Sequence, residues 1–306
     1  MKRKVIQIAD STQLISLPRK WAQKFNIKKG DELEVEEHDN KVIVSTSNET
    51  HLETADLNID DLEPLTARVI HALYKRGLDE IKIYTKNQQQ LEIVQKALGK
   101  ETVGFEIVEQ GTNFCLIKNV SGNIEEFDQL LKRTFLMLIT MAEEGLKAIK
   151  AKNYEYLKNV ALLEESNNRF TTSCRRYLNK KGHNDYKVGP VYFIVESLEN
   201  TADQFKYMFT NLSKTNPKLK INDNVLKLYQ DVNNSISSLF KAFYKYDKKE
   251  LVDIGSTRLN LIEKFHGYFK KTKSYEELII IHHLVNIQQM VFNMIGPLIA
   301  MKKQFG

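Results

Sequence analysis

Apolar residues recur at helical spacing through the second half of the chain. Phe127, Leu131, Phe135, Leu138, Ala142, Leu146 and Ile149 fall three or four apart, and so do Val188, Val191, Val195, Leu198, Ala202, Phe205 and Phe209. Leu228, Val232, Ile236, Leu239 and Phe243 repeat the spacing, followed by Leu278, Ile281, Leu284, Val291, Ile295 and Leu298. This spacing puts apolar side chains on one helix face that must be buried. Breaks near Lys152-Asn153, Lys181-Gly182, Asn216-Pro217, Asp247-Lys248 and Thr272-Lys273 divide residues 124–302 into six predicted helices. The breaks fall at similar places in 124–212 and 219–302, which predicts a duplicated three-helix unit and an all-α bundle built from two of them.

The rest of the chain reads differently. Residues 64–120 alternate the two periods: a helix around 65–76, a strand at 82–85, a helix at 88–98, and strands at 103–109 and 113–118. Gly77, Gly99 and Gly111 punctuate the changes. This predicts a small α/β module with a packing or partner-contact role. Residues 47–63 are polar and acidic with no sustained period and read as a linker. Residues 1–46 hold short alternating strands around one helical turn that Pro18 opens, with a turn at Gly30-Asp31. The predicted fold class is therefore multidomain, α and β. An N-terminal segment of ~45 residues cannot bury enough surface alone, so it is expected to complete its core with a second copy.

Composition changes this picture little. The chain has 306 residues, 42% apolar and 27% charged, with a net charge of +6, values ordinary for a globular protein. Placement of charge says more. From Lys2 to Lys29 there are eight bases and one acid, whereas Asp31 to Asp39 holds six acids and no Lys or Arg. The cysteines, Cys115 and Cys174, lack ligand-type spacing and read as packed, reduced thiols. The N-terminus begins a strand pattern without an apolar signal region. The apolar runs 135–142 and 278–281 are far short of the ~20 residues a membrane span needs. The expectation is a cytoplasmic protein without membrane insertion.

Two constellations could carry chemistry. Arg3 and Lys4 open a strand, and Arg19, Lys20 and Lys24 lie on the turn after Pro18, a distribution suited to phosphate contacts on DNA or to a solvated basic face. In the bundle, Glu199 and Asp203 stand four apart on one helix face, and Glu164, Glu165 and Asn168 have similar spacing. They suit a shared cation or a solvated carboxylate pair. The duplication supplies an internal control. Aligning Leu198 with Leu284 puts Val285 on Glu199 and Gln289 on Asp203; aligning Leu157 with Leu251 puts Arg258 on Glu164 and Ile262 on Asn168. At most one metal site remains. The seven histidines form no triad or zinc signature, and there is no phosphate cradle or nucleophile elbow. No enzymatic activity is expected.

Residues 2–46 resemble the swapped-hairpin domain of the AbrB and SpoVT regulators. The matching residues are the strand Val5 to Ile8, Leu17-Pro18 before a short helix, the turn Lys28-Lys29-Gly30-Asp31, and two strands from Leu33 to Val44. Ser11-Thr12, Ser16-Leu17-Pro18 and Trp21 are similar to the variant in archaeal proteins that join this domain to a PhoU-like bundle. Gly77 to Ile81 and Gly104 to Glu109 resemble the middle segment of such proteins. Leu198-Glu199 to Asp203 resembles the PhoU Leu-Glu-Arg-Ile-x-Asp motif, and Asn168-Arg169-Phe170 with Arg176 its Asp-Arg-Leu and following Arg. The resemblance implies a DNA-binding homodimer that regulates phosphate uptake. Its bundle would contact a phosphate-transporter ATPase or sensor kinase, and iron or zinc would sit at one carboxylate site formed by Glu199, Asp203 and Glu164. Two departures matter. The Gly-Arg of the bacterial regulators is Gln13-Leu14 here, and their paired Arg after the Pro falls on Ala22-Gln23, so DNA contact would pass to Arg3, Lys4, Arg19, Lys20 and Lys24. Asn168 stands where an acid is expected.

Overall fold

Residues 1–52 and 53–306 form two units. The structure, a computed structural model, describes residues 1–8, 12–38, 41–46, 52–121, 127–182, 187–271 and 274–301.

In the first unit, β1 (Ile6–Ile8) pairs antiparallel with β2 (Thr12–Leu14), and β3 (Leu33–His38) with β4 (Lys41–Thr46). Between them Pro18 caps α1 (Arg19–Lys24), its carbonyl accepting from the Ala22 amide at 3.0 Å. The Lys28-Lys29-Gly30-Asp31 turn closes through the Lys28 amide, which donates to Asp31 Oδ2 at 2.7 Å, with Gly30 at φ +96° where a side chain would be strained. Register places Ile6, Ile8 and Leu14 on one face of the first hairpin, opposite Gln7 and Gln13. It places Leu33, Val35, Val42 and Val44 together on the second. None of the described residues in this unit is buried, and Val35 and Val42 are 61% and 63% exposed.

The second unit begins with the α/β module: β5 (Thr54–Asn58), α2 (Thr66–Arg76), β6 (Glu80–Tyr84), α3 (Gln88–Glu101), β7 (Phe105–Gln110) and β8 (Phe114–Asn119). The sheet order is β5-β6-β8-β7, with β5 parallel to β6 and the remaining pairs antiparallel. Ile81, Ile83, Cys115 and Ile117 bury one sheet face against Ile70, Tyr74, Leu91 and Val94 of the helices. The linker expectation for 47–63 is corrected here. Residues 54–58 are an edge strand because five consecutive positions pair with β6, and Ile59 enters the core. Residues 47–51, also assigned to the linker, lie outside the described residues.

The helical part comprises α4 (Phe127–Lys150), α5 (Leu157–Ala161), α6 (Leu163–Lys181), α7 (Val188–Leu212), α8 (Asp223–Tyr244), α9 (Lys248–Lys271), α10 (Tyr275–Asn293) and α11 (Ile295–Met301). The six long helices are those expected from the apolar spacing; α5 and α11 are short additions. The expected break at 272–273 lies outside the described residues. Helices α4, α6 and α7 pack on one another, as do α8, α9 and α10. The two triplets join through α7 on α10 and α4 on α8. Gly145 of α4 marks that junction: a Cβ there would stand 2.2 Å from the Phe209 ring and 2.7 Å from the Tyr229 hydroxyl.

The short apolar run near 278–281 turns out to belong to a longer one. Residues 275–301 are long and apolar enough, by length and composition, to cross a membrane. In this fold Ile280, Ile281, Leu284, Ile287, Val291 and Leu298 are buried in the bundle core instead.

Both cysteines are free and buried. Desolvation pushes the Cys115 thiol up to about 11 and raises Cys174 as well, so both stay protonated and pack as apolar groups.

Candidate functional site

In the first unit Arg3, Lys4, Arg19, Lys20 and Lys24 are all exposed. Among the described residues none of them is in an ion pair. Lys24 lies 5.2 Å from the Phe25 ring, and Phe25 in turn packs against Trp21 at 5.6 Å between centroids. Gln13-Leu14, which stand at the expected Gly-Arg, and Ala22-Gln23, which stand at the expected paired Arg, carry no charge. Gln13 sits on the polar face of β2 opposite Gln7. The unit thus presents exposed cations and exposed apolar strand faces.

The carboxylates of the bundle meet on α6 and α7. Glu164, 2% exposed, accepts from Asn168 Nδ2 at 2.5 Å and from Lys206 Nζ at 2.9 Å. Asp203 hydrogen-bonds to Glu164. Burial first, then that bond and the charge of Glu164, push its carboxyl up to about 7. Glu199 accepts from the Thr171 hydroxyl and from Arg175, which also reaches Glu196. Desolvation raises the Glu199 carboxyl, and the Arg175 guanidinium opposes the rise. Burial lowers Lys206 most, but the hydrogen bond to Glu164 and the charges of Glu164 and Asp203 together outweigh it and hold the ammonium above its usual range.

This arrangement does not fit an iron or zinc site. Asn168 and Lys206 take the two oxygens of Glu164, and Thr171 and Arg175 converge on Oε2 of Glu199. The positive charges opposite Glu164 and Glu199 are Lys206 and Arg175. Among the described residues no group of three or more His, Cys, Asp or Glu side chains is arranged to hold a metal. A Glu-x-x-His spacing at Glu263 and His266, of the kind di-iron bundles use, lies exposed on α9. His283 is buried, donates from Nδ1 to Gln204 Oε1 at 2.9 Å, and is lowered to about 4 by desolvation and by its neighbour His282, so it is neutral.

The internal alignment holds in three dimensions. Glu164 bonds Asp203, and their counterparts Arg258 and Gln289 bond each other, Nε to Oε1 at 2.7 Å. Lys206 corresponds to Phe292, and the Arg258 guanidinium lies 4.7 Å from that ring. The second triplet therefore keeps the contact and discards the acids.

The α/β module covers this face of the first triplet. Arg176 of α6, 5% exposed, donates to the carbonyls of Tyr74 and Leu78 at 3.0 and 2.6 Å and to Asp79 Oδ1 at 2.9 Å, between the rings of Tyr74 and Phe105. Lys180 also pairs with Asp79, and Asn179 Nδ2 donates to the Lys75 carbonyl at 2.7 Å. Beside this clamp, His71 Nε2 meets the Ala97 carbonyl at 2.9 Å and its Nδ1 lies 3.2 Å from Glu101. Desolvation raises the Glu101 carboxyl, and the bond to His71 together with the charges of His71, Lys75 and Arg175 more than reverses that, leaving it lowered. Sequence spacing found Glu199, Asp203 and Glu164. It missed Arg175 and Lys206 as their partners, although Lys206 follows Asp203 by one helical turn, the signal that could have found it.

Residues 6–49 match the family described as antidote-toxin recognition MazE, bacterial antitoxin, so the first unit carries a MazE/AbrB-like domain. No curated protein matches the chain. Among solved structures it is similar to the phosphate transport system regulatory protein PhoU from Streptococcus pneumoniae, at 14% identity and a TM-score of 0.45. The match covers 57% of this chain and 92% of that one.

Proposed function

We propose that the protein is a cytoplasmic, homodimeric DNA-binding regulator of phosphate uptake. The observation that carries the DNA reading is the first unit's surface: apolar strand faces left exposed on its two hairpins, together with exposed Arg and Lys that make no ion pair among the described residues. Two-stranded hairpins are marginal alone. A second copy laid on Ile6, Ile8, Leu14, Val35 and Val42 would remove that apolar surface from water and bring two sets of bases together. Phosphate contacts would supply affinity, and arginine contacts to guanine some sequence preference. The link to phosphate rests on the likeness of Leu198 to Asp203 and of Asn168 to Arg176 to PhoU motifs. On that reading the bundle receives its signal from a phosphate-transporter ATPase or sensor kinase.

Fluorescence anisotropy of the full chain on its own upstream DNA, across a salt series, tests this. Replacing Arg3, Lys4, Arg19 and Lys20 with Gln removes up to eight contacts per dimer and is expected to flatten the log–log salt slope by as much as ~7. Binding that ignores salt, or the four substitutions, overturns it. The uncharged Leu14 and Ala22-Gln23, where arginines are expected, favour a second reading, an adaptor whose first unit only dimerises. Co-purification of a transporter ATPase with no DNA retained would support that reading instead.

A further inference from the structure

A cavity of about 470 Å³ opens where the α/β module meets the first triplet, with α2 and α3 on one side and α6 and α7 on the other. The groups facing it divide by whether they already have partners. Glu164, Glu199 and Glu101 are held by Lys206, Arg175 and His71. Arg68, Lys75 and Lys100 line the module side and make no ion pair within 4 Å among the described residues. Across from them Asn168 spends its amide on Glu164, which leaves its Oδ1 buried with no hydrogen-bond partner. Asp203 and the exposed Glu165 offer further acceptors on that side.

The module wall, where Lys75 also acts on Glu101, offers the exposed Arg68 and Lys100 to an anion, and the opposite wall accepts O–H or N–H donors. Three bases on one wall favour a dianion, and an arginine among them suits the paired oxygens of a phosphate. No Phe, Tyr or Trp lines the cavity, and the one imidazole there, His71, is held edge-on by the Ala97 carbonyl and Glu101, so the lining offers no large ring to a nucleobase. The volume is within the usual range for small-molecule sites, about 300 to 1,000 Å³.

We propose that this cavity binds a small hydroxylated phosphate monoester. Its phosphate lies on Arg68, Lys75 and Lys100, and its hydroxyls donate to Asn168 Oδ1 and to the acids beside it. The ligand bridges module and bundle. The assignment goes beyond the DNA-binding reading and does not depend on it, because it is read without DNA.

Isothermal titration of the full chain with ribose 5-phosphate and glycerol 3-phosphate tests it, with inorganic phosphate and ribose as the separated halves of the ligand. The expected result is one ester per chain, bound at least about tenfold more tightly than either half. Arg68→Gln with Lys100→Gln, both at exposed positions, is expected to weaken the ester about tenfold with the melting temperature unchanged. Asn168→Leu is expected to weaken the ester but not inorganic phosphate. No ester binding at about 10 mM, inorganic phosphate binding as well as the esters, or unchanged binding in the double variant would each overturn the proposal.

Discussion

Replacing Arg176 with Met is expected to loosen the α/β module from the bundle while leaving the bundle folded. The guanidinium donates to two buried carbonyls and to Asp79, itself 7% exposed. Met fills much of the volume between Tyr74 and Phe105 but donates nothing. The Tyr74 carbonyl keeps the Gly77 amide at 3.0 Å, so the loss falls on the Leu78 carbonyl, at about 1–3 kcal/mol. Removing one partner of a buried ion pair costs about 3–5 kcal/mol where the other charge is stranded. Asp79 is not stranded, because Lys180 and the Glu53 amide still reach it. The total therefore belongs at the lower end, about 3 kcal/mol. Hydrogen exchange resolved by segment is the fitting assay, since a chain with two units has no single unfolding free energy. Amides of α2 and β6 are expected to exchange about a hundredfold faster, and those of α8 to keep their protection. Combining Arg176→Met with Asp79→Asn is expected to show a coupling of about 1–3 kcal/mol. A change under about 1 kcal/mol, or one spread evenly over module and bundle, would refute the clamp.

Gly145→Ala forces a methyl against Phe209 and Tyr229 where the triplets meet, and a loss of about 1–3 kcal/mol is expected in chemical denaturation. Asp203 has its carboxyl raised to about 7 in the fold, so the native state holds that proton more tightly than the unfolded chain. Its contribution is greatest in acid and is lost as pH rises through about 7. Asp203→Asn is therefore expected to gain about 1–2 kcal/mol on the parent between about pH 5 and pH 8; a difference flat in pH sinks the raised Asp203 carboxyl. Val35→Asp with Val42→Asp alters side chains that are mostly exposed in one chain and would cost a monomer only about 0.5 kcal/mol. Sedimentation is expected to show the variant dissociating to monomers, and an unaltered dimer would mean that this face is not the one covered.

What could be read from the sequence follows the length and regularity of each element. Long apolar stripes such as Phe127 to Ile149 left little choice but helix, and the matching breaks gave the duplication. Strand β5 was illegible because only Ala55 and Leu57 alternate inward within five residues, at a sheet edge beside acids, and its partner β6 decides its state. The spacing of Glu199 and Asp203 was readable from helix geometry alone. Their chemistry was not, because Arg175 comes from another helix and fixes whether those acids face a metal or a guanidinium. Arg68, Lys75 and Lys100 had no reason to be grouped with Asn168 until the module docked, since residues ~70–100 apart in sequence meet only through tertiary packing.

The duplication also explains why the module sits on one triplet and not the other. On the first, its bases approach Glu164, Glu165, Glu199 and Asp203. The same positions of the second hold Arg258, Leu259, Val285 and Gln289. Docking there would exchange four acids for one arginine. At ~8–15 Å and an effective dielectric of ~20, each lost attraction or added repulsion is about 1–2 kcal/mol before screening by salt. The clamp is missing as well: Lys270 stands where Arg176 does, and an ammonium cannot serve two carbonyls and a carboxylate with the fixed fork of a guanidinium. Leu259, the counterpart of Glu165, is 66% exposed on the second triplet, with no module to meet it. Two triplets of one architecture thus differ in a few side chains on α6 and α7, enough to give one of them the module and the cavity beneath it.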